Sequence, residues 1–136
     1  MKGIKKLAVL MMCVAMLTGS VLSVSAAGVM PRYNNVGYVN ATASVSSNGV
    51  LYVDYNYTAN SNMTSVEINT LVEKQTLFLF WSDVAEWSDT ISQISYTDTD
   101  TLQLDDEGKY RITVEYTFYG TGGAADTITY EMEVEY

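Results

Sequence analysis

The chain has no histidine, one cysteine (Cys13), one proline (Pro31) and only seven lysines and arginines in 136 residues. Each scarcity closes a class of function. Without histidine there is no Ser-His-Asp or Cys-His nucleophile and no His-containing zinc site. One cysteine cannot form an intrachain disulfide, so stability must come from apolar burial and sheet hydrogen bonding. Few bases argue against nucleic acid and anionic membrane surfaces as partners, because both reward lysine and arginine. Long apolar runs are scarce too. The one clear case, residues 7–17, falls well short of the roughly twenty residues that span a bilayer.

That run has its own explanation. Lys2, Lys5 and Lys6 precede it, Thr18-Gly19-Ser20 follows it, and Val24-Ser25-Ala26 places small residues where a signal peptidase cuts. The order is that of a secretory signal over residues 1–26, with an uncleaved anchor as the alternative. Cys13 is preceded by Met11 and Met12 and the apolar run continues past it, which does not fit a lipidation site. The end of the chain, Glu131-Met132-Glu133-Val134-Glu135-Tyr136, shows neither an anchoring helix nor a sorting pattern, so a released, extracellular protein is expected.

Cleavage would leave about 110 residues, enough for one domain, and would remove the only thiol. Four bases (Arg32, Lys74, Lys109 and Arg111) would then face all 16 acids, a net charge of −12. Such a balance favours solubility and admits cationic ligands or Ca²⁺.

Residues 27–35 read as a linker and residues 36–136 as the fold. Period-two alternation dominates the latter, and no helical stripe is visible. Residues 39–45 place apolar side chains at odd positions. Asn48-Gly49 supplies a hairpin turn, and residues 50–58 return with Leu51, Val53, Tyr55 and Tyr57 inward. Val66, Ile68 and Val72 mark a third strand. Residues 76–81 (Thr-Leu-Phe-Leu-Phe-Trp) are apolar on both faces, as in a fully buried strand or one whose outer face meets a partner. Residues 83–89 break the pattern, and residues 91–96 and 99–104 read as two further strands.

The last hairpin is the clearest. Tyr110, Ile112, Val114, Tyr116 and Phe118 share one face, the glycine-rich stretch 120–125 turns the chain, and Ile128, Tyr130, Met132, Val134 and Tyr136 repeat the rule. Pairing Tyr119 with Ala125 sets Arg111 opposite Glu133 and Lys109 opposite Glu135. A shift by two sets Glu115 against Glu131, so the first register is preferred. Seven or eight short strands with regular turns predict an all-β, antiparallel sandwich.

One motif sharpens that expectation. Asp106-Glu107-Gly108-Lys109-Tyr110-Arg111-Ile112 resembles the tyrosine-corner run of immunoglobulin-like domains. The resemblance implies that the Tyr110 hydroxyl holds the preceding turn, that Gly108 permits the bend, and that Ile112 stands where antibody domains carry a cysteine. Disulfide-free relatives such as fibronectin type III are therefore the nearer comparison. With Pro31 to Asn35, Trp81, Trp87 and Tyr119 to Gly123, the layout also resembles small secreted immunoglobulin-like or fibronectin-III-like proteins of Gram-positive bacteria. That resemblance implies secretion and fold, and supplies no activity.

Chemistry-bearing residues are few in kind. Carboxylate pairs serve glycosidases, but no pair stands out from the acids of a solvated surface, so no enzyme and no cofactor are expected. Asp98, Asp100, Asp105 and Asp106 bracket a short strand and could converge on Ca²⁺, although no EF-hand order is present. A solvated acidic loop is the alternative. Trp87, set among Asp83, Glu86 and Asp89, with Trp81 and Tyr52, has the composition of a sugar-stacking or peptide-docking site. The alternative for Trp87 is a lid on the core. Asn40, Asn56 and Asn62 begin Asn-x-Thr sequons, read here as ordinary strand and loop residues. The expected function is a non-enzymatic recognition module for protein or glycan at a cell surface. A self-associating structural subunit of a surface assembly is the second reading.

Overall fold

The computed structural model describes residues 33–136. The signal reading of residues 1–26, the residues 27–32 and the Cys13 argument lie outside the described residues. Seven strands follow in order, β1 (Val36–Val45), β2 (Val50–Ala59), β3 (Met63–Thr76), β4 (Phe80–Ile91), β5 (Ser95–Gln103), β6 (Lys109–Gly120) and β7 (Asp126–Glu135). They form two antiparallel sheets, one ordered β1-β2-β5 and the other β4-β3-β6-β7. The fold is an immunoglobulin-like β-sandwich. In constant-type immunoglobulin domains the fourth strand joins the first sheet, whereas here β4 pairs with β3.

Alternation sets which side of each strand is buried. Leu51, Val53, Tyr55 and Tyr57 of β2, and all five even positions from Tyr110 to Phe118 of β6, are buried. Between the sheets Tyr57 meets Phe118 edge-on at 5.3 Å and Tyr116 at 6.4 Å, the tilted geometry that aromatic quadrupoles favour. The β6–β7 register is the charge-preferred one, with Arg111 opposite Glu133 and Lys109 opposite Glu135. The ion pairs themselves are diagonal. Lys109 reaches Glu133, and Arg111 turns the other way to Glu73 on β3.

The tyrosine corner is formed. The Tyr110 hydroxyl donates to the Asp106 carbonyl at 2.6 Å, and Gly108 takes the positive φ of 146° that the bend requires. Ile112, at the cysteine position, is fully buried.

Three expectations need correction. Asn35, assigned to the linker, is fully buried. Its backbone N–H donates to Asp126, its side-chain amide donates to the Phe118 and Ala124 carbonyls, and its side-chain oxygen accepts from Asn62. The folded body therefore begins before Val36. The two strands expected over residues 91–104 are one, β5, because Ile91 ends β4 and residues 92–94 connect the two. Residues 76–81 are not one strand. Leu77 to Leu79 form the turn of the β3–β4 hairpin, and Thr76, Phe80 and Trp81 are the ends of its two strands.

Candidate functional site

The β3–β4 tip breaks two local rules at once. Leu77 and Phe78 occupy the left-handed region at φ 49° and 65°, and the Leu79 N–H points to the Thr76 carbonyl at 3.4 Å. Two successive left-handed residues make a turn of the I′ kind, which asparagine and glycine fill best and which costs other residues about 1–2 kcal/mol each. The side chains are also apolar and in solvent. Leu77 is 82% exposed, Phe78 91%, Leu79 79% and Phe80 63%. The turn is nonetheless braced. The Gln75 amide donates to the Phe78 carbonyl at 3.1 Å, and the Thr76 hydroxyl donates to the Phe80 carbonyl.

Behind the tip stands Trp81, opposite Gln75 on the outer face of the four-stranded sheet. The Arg111 guanidinium lies 4.4 Å from its ring centroid, a cation–π distance. Both Nε and a terminal nitrogen of Arg111 bond Glu73 Oε2 at 2.8 Å. The hydrogen bond that Arg111 donates to Glu73 raises the guanidinium pKa further, so Arg111 is a permanent cation clamped between a carboxylate and an indole. Lys74 sits 5.8 Å from the Tyr110 ring and 3.5 Å from Asp106. The apolar tip thus has a polar, charged base.

The two tryptophans do not share a site. Val72 faces Ala85 while Glu73 faces Asp83, so Val84 is an extra residue in β4. A bulge of this kind shifts the side-chain phase by one. Trp81 and Asp83 consequently face outward, as does Glu86 opposite Leu71, while Trp87 and Asp89 face the other sheet. Tyr52 lies on a third surface, the outer face of the three-stranded sheet.

Trp87 packs against the core as a lid at the seam between β4 and β5. Its indole N–H is shared between the Tyr55 hydroxyl at 3.0 Å and Asp100 at 2.8 Å, and Tyr55 also bonds the buried Thr70 hydroxyl. Burial is the main reason the Tyr55 pKa is pushed up to about 12, with the nearby Asp100 adding to it. A cleft of about 240 Å³ opens beside this group, lined by Trp87, Asp89, Asp100, Thr101 and Leu102.

The four aspartates considered for Ca²⁺ separate as well. Asp98 and Asp100 lie on β5, where they accept hydrogen bonds from Tyr96 and Trp87, and Asp106 is paired with Lys74 beyond the end of that strand. Among the described residues no group of three or more acids, histidines or cysteines is arranged to hold a metal ion. No helix among them is long and apolar enough to cross a membrane.

Sequence reasoning missed the tip because residues 76–80 contain no glycine, proline, asparagine or aspartate. One signal was available. Each sheet of a two-layer sandwich has a solvated face, so a run apolar on both faces has no interior place in a seven-strand domain. No protein-family model matches the chain, and no curated protein matches it.

Proposed function

We propose that this protein is a secreted, non-enzymatic recognition module that docks onto a partner protein through the β3–β4 tip. Leu77, Phe78 and Leu79 would enter an apolar pocket of the partner. The observation that carries this reading is the pairing of exposed apolar side chains with left-handed backbone at Leu77 and Phe78. Backbone strain that a stable fold does not need points to selection for something outside the fold.

The tip's chemistry selects the partner class. Its four apolar side chains offer a sugar no hydrogen bonds. The −12 charge of residues 27–136 opposes an anionic bilayer. An apolar centre bordered by tryptophan and arginine has the make-up of a protein-binding hot spot. Secretion, carried by the signal-like residues 1–26, would bring the tip to proteins of a cell surface.

A photo-crosslinking amino acid at position 78, with a control at the exposed position 129 of β7, tests this on intact cell-surface protein. A discrete heterologous adduct from position 78 is expected. Excess unmodified protein should suppress it, and the Phe78→Asp variant should not. An adduct formed equally from position 129 overturns the reading, as does sedimentation with protein-free phosphatidylcholine/phosphatidylglycerol vesicles. An adduct containing only this chain would replace it with the self-assembling subunit.

A further inference from the structure

We propose that the outer face of the β1-β2-β5 sheet is a second binding site, a platform for a neutral glycan chain. The face is crossed by four rows of side chains. One end row is Tyr38, Thr58 and Ser95, and the other is Ser44, Tyr52 and Thr101. The two rows between them hold asparagine and threonine, with one carboxylate, Asp54. Asp54 already accepts hydrogen bonds from the Thr42 hydroxyl at 3.3 Å and the Thr99 hydroxyl at 2.6 Å.

The contrast with the other sheet is what makes this face informative. The outer positions of β3, β6 and β7 include Glu67, Glu73, Arg111, Glu131, Glu133 and Glu135. A chain with 16 acids thus puts only one of them, held by two threonines, on the β1-β2-β5 face, and among the described residues no lysine or arginine stands there. Serine, threonine, asparagine and tyrosine both donate and accept, as sugar hydroxyls do, whereas lysine and arginine only donate and carboxylates only accept. An anionic glycan would find no cation among the described residues of this face. A cationic one would find a single carboxylate already occupied.

Ring positions set the length of the ligand. Tyr38 and Tyr52 are 52% and 38% exposed, and they flank the polar rows from opposite ends. Tyr38 is level with Thr58, six residues along β2 from Tyr52, a separation of roughly 20 Å. The registers are unbroken from Tyr38–Thr58 to Val45–Leu51 and from Val50–Gln103 to Thr58–Ser95, so no bulge interrupts the surface between the two rings, and the irregularity at Gly37 lies beyond Tyr38. A chain lying along the strands can stack on both rings and hydrogen-bond to the rows between them. A mono- or disaccharide can reach only one ring.

Native affinity electrophoresis through gels containing a β-glucan, a mannan, a xylan or glycol chitin tests this, with polygalacturonate as the anionic control. Retardation by at least one neutral polymer is expected. Calorimetry should then show its hexasaccharide binding at least tenfold more tightly than its disaccharide. Tyr38→Ala and Tyr52→Ala should each weaken binding by about three- to tenfold, with unchanged melting temperatures. The Phe78→Ser variant should bind as the unmodified protein does, which separates this site from the hairpin tip. The proposal is overturned by no retardation in any neutral gel, by retardation on polygalacturonate alone, by retardation unchanged in the double tyrosine variant, or by its loss in Phe78→Ser.

Discussion

Tyrosine hydroxyls do here what a disulfide does in antibody-type sandwiches. Tyr116 of β6 donates to the Asn40 carbonyl of β1 at 2.8 Å, and Tyr130 of β7 donates to the Val39 carbonyl at 2.7 Å. Tyr55 of β2 bonds Thr70 of β3. Each bond joins one sheet to the other around a core in which Ile112 stands at the cysteine position. The rings fill the space between sheets while the hydroxyls satisfy polar groups that burial would leave unpaired. Tyr110 acts more locally, closing the β5–β6 turn at Asp106. Its hydroxyl can be removed without altering the packing of the ring. Tyr110→Phe should lower unfolding free energy by about 1 kcal/mol, read as a lower urea midpoint at unchanged slope. Tyr38→Phe, at an exposed hydroxyl, should stay within about 0.5 kcal/mol of the parent. Equal effects at the two positions would mean that the corner contributes nothing.

At the scale of elements, the two hairpins that could be read in advance announce themselves by local chemistry. Asn48-Gly49 makes one turn, with Gly49 at φ 76°, where an added Cβ would meet the Tyr136 ring at 2.6 Å. The β6–β7 register follows from charges that must avoid one another across the ladder. The β3–β4 hairpin was illegible for the same reason that it is interesting. Its turn residues contradict its turn type, and the Val84 bulge hides β4 by moving Trp81 and Trp87 to opposite faces. The grouping of Trp81, Trp87 and Tyr52 rested on composition, with residues 83–89 read as a break where β4 in fact runs through with a bulge, so it could not anticipate three separate surfaces. Replacing the strained pair by the residues that the turn prefers separates fold from function. Leu77→Asn with Phe78→Gly should raise stability by about 1–2 kcal/mol in denaturant unfolding, and in excess it should fail to suppress crosslinking from position 78. A destabilised double variant would show that the tip's apolar side chains serve the fold itself.

For the molecule as a whole, a core tied by tyrosine hydroxyls makes stability depend on alkaline pH. Burial pushes Tyr55 and Tyr57 up to about 12, and raises Tyr96, Tyr110, Tyr116 and Tyr130 as well. In the unfolded chain each returns to about 10. Below that value both states hold the phenolic proton and the full contribution is present. Between about pH 10 and 12 the unfolded chain releases protons that the folded one keeps, so the unfolded state is favoured as pH rises. The contribution is gone once the pH passes the folded-state values. The acidic balance acts in the same direction, since each new tyrosinate adds to a net charge already at −12 over residues 27–136. Salt separates the two effects, because about 1 M NaCl shortens the screening length to about 3 Å and suppresses surface repulsion while leaving burial unchanged. The melting temperature should therefore hold steady up to about pH 10 and fall steeply above it, with only part of the loss recovered in 1 M salt. Tyrosinate absorbance from the buried rings should rise only together with the loss of β-sheet circular dichroism. A single smooth titration near pH 10 with the sheet signal intact would mean that the core hydroxyls are open to solvent, and the cross-sheet ties would have to be abandoned as the source of stability.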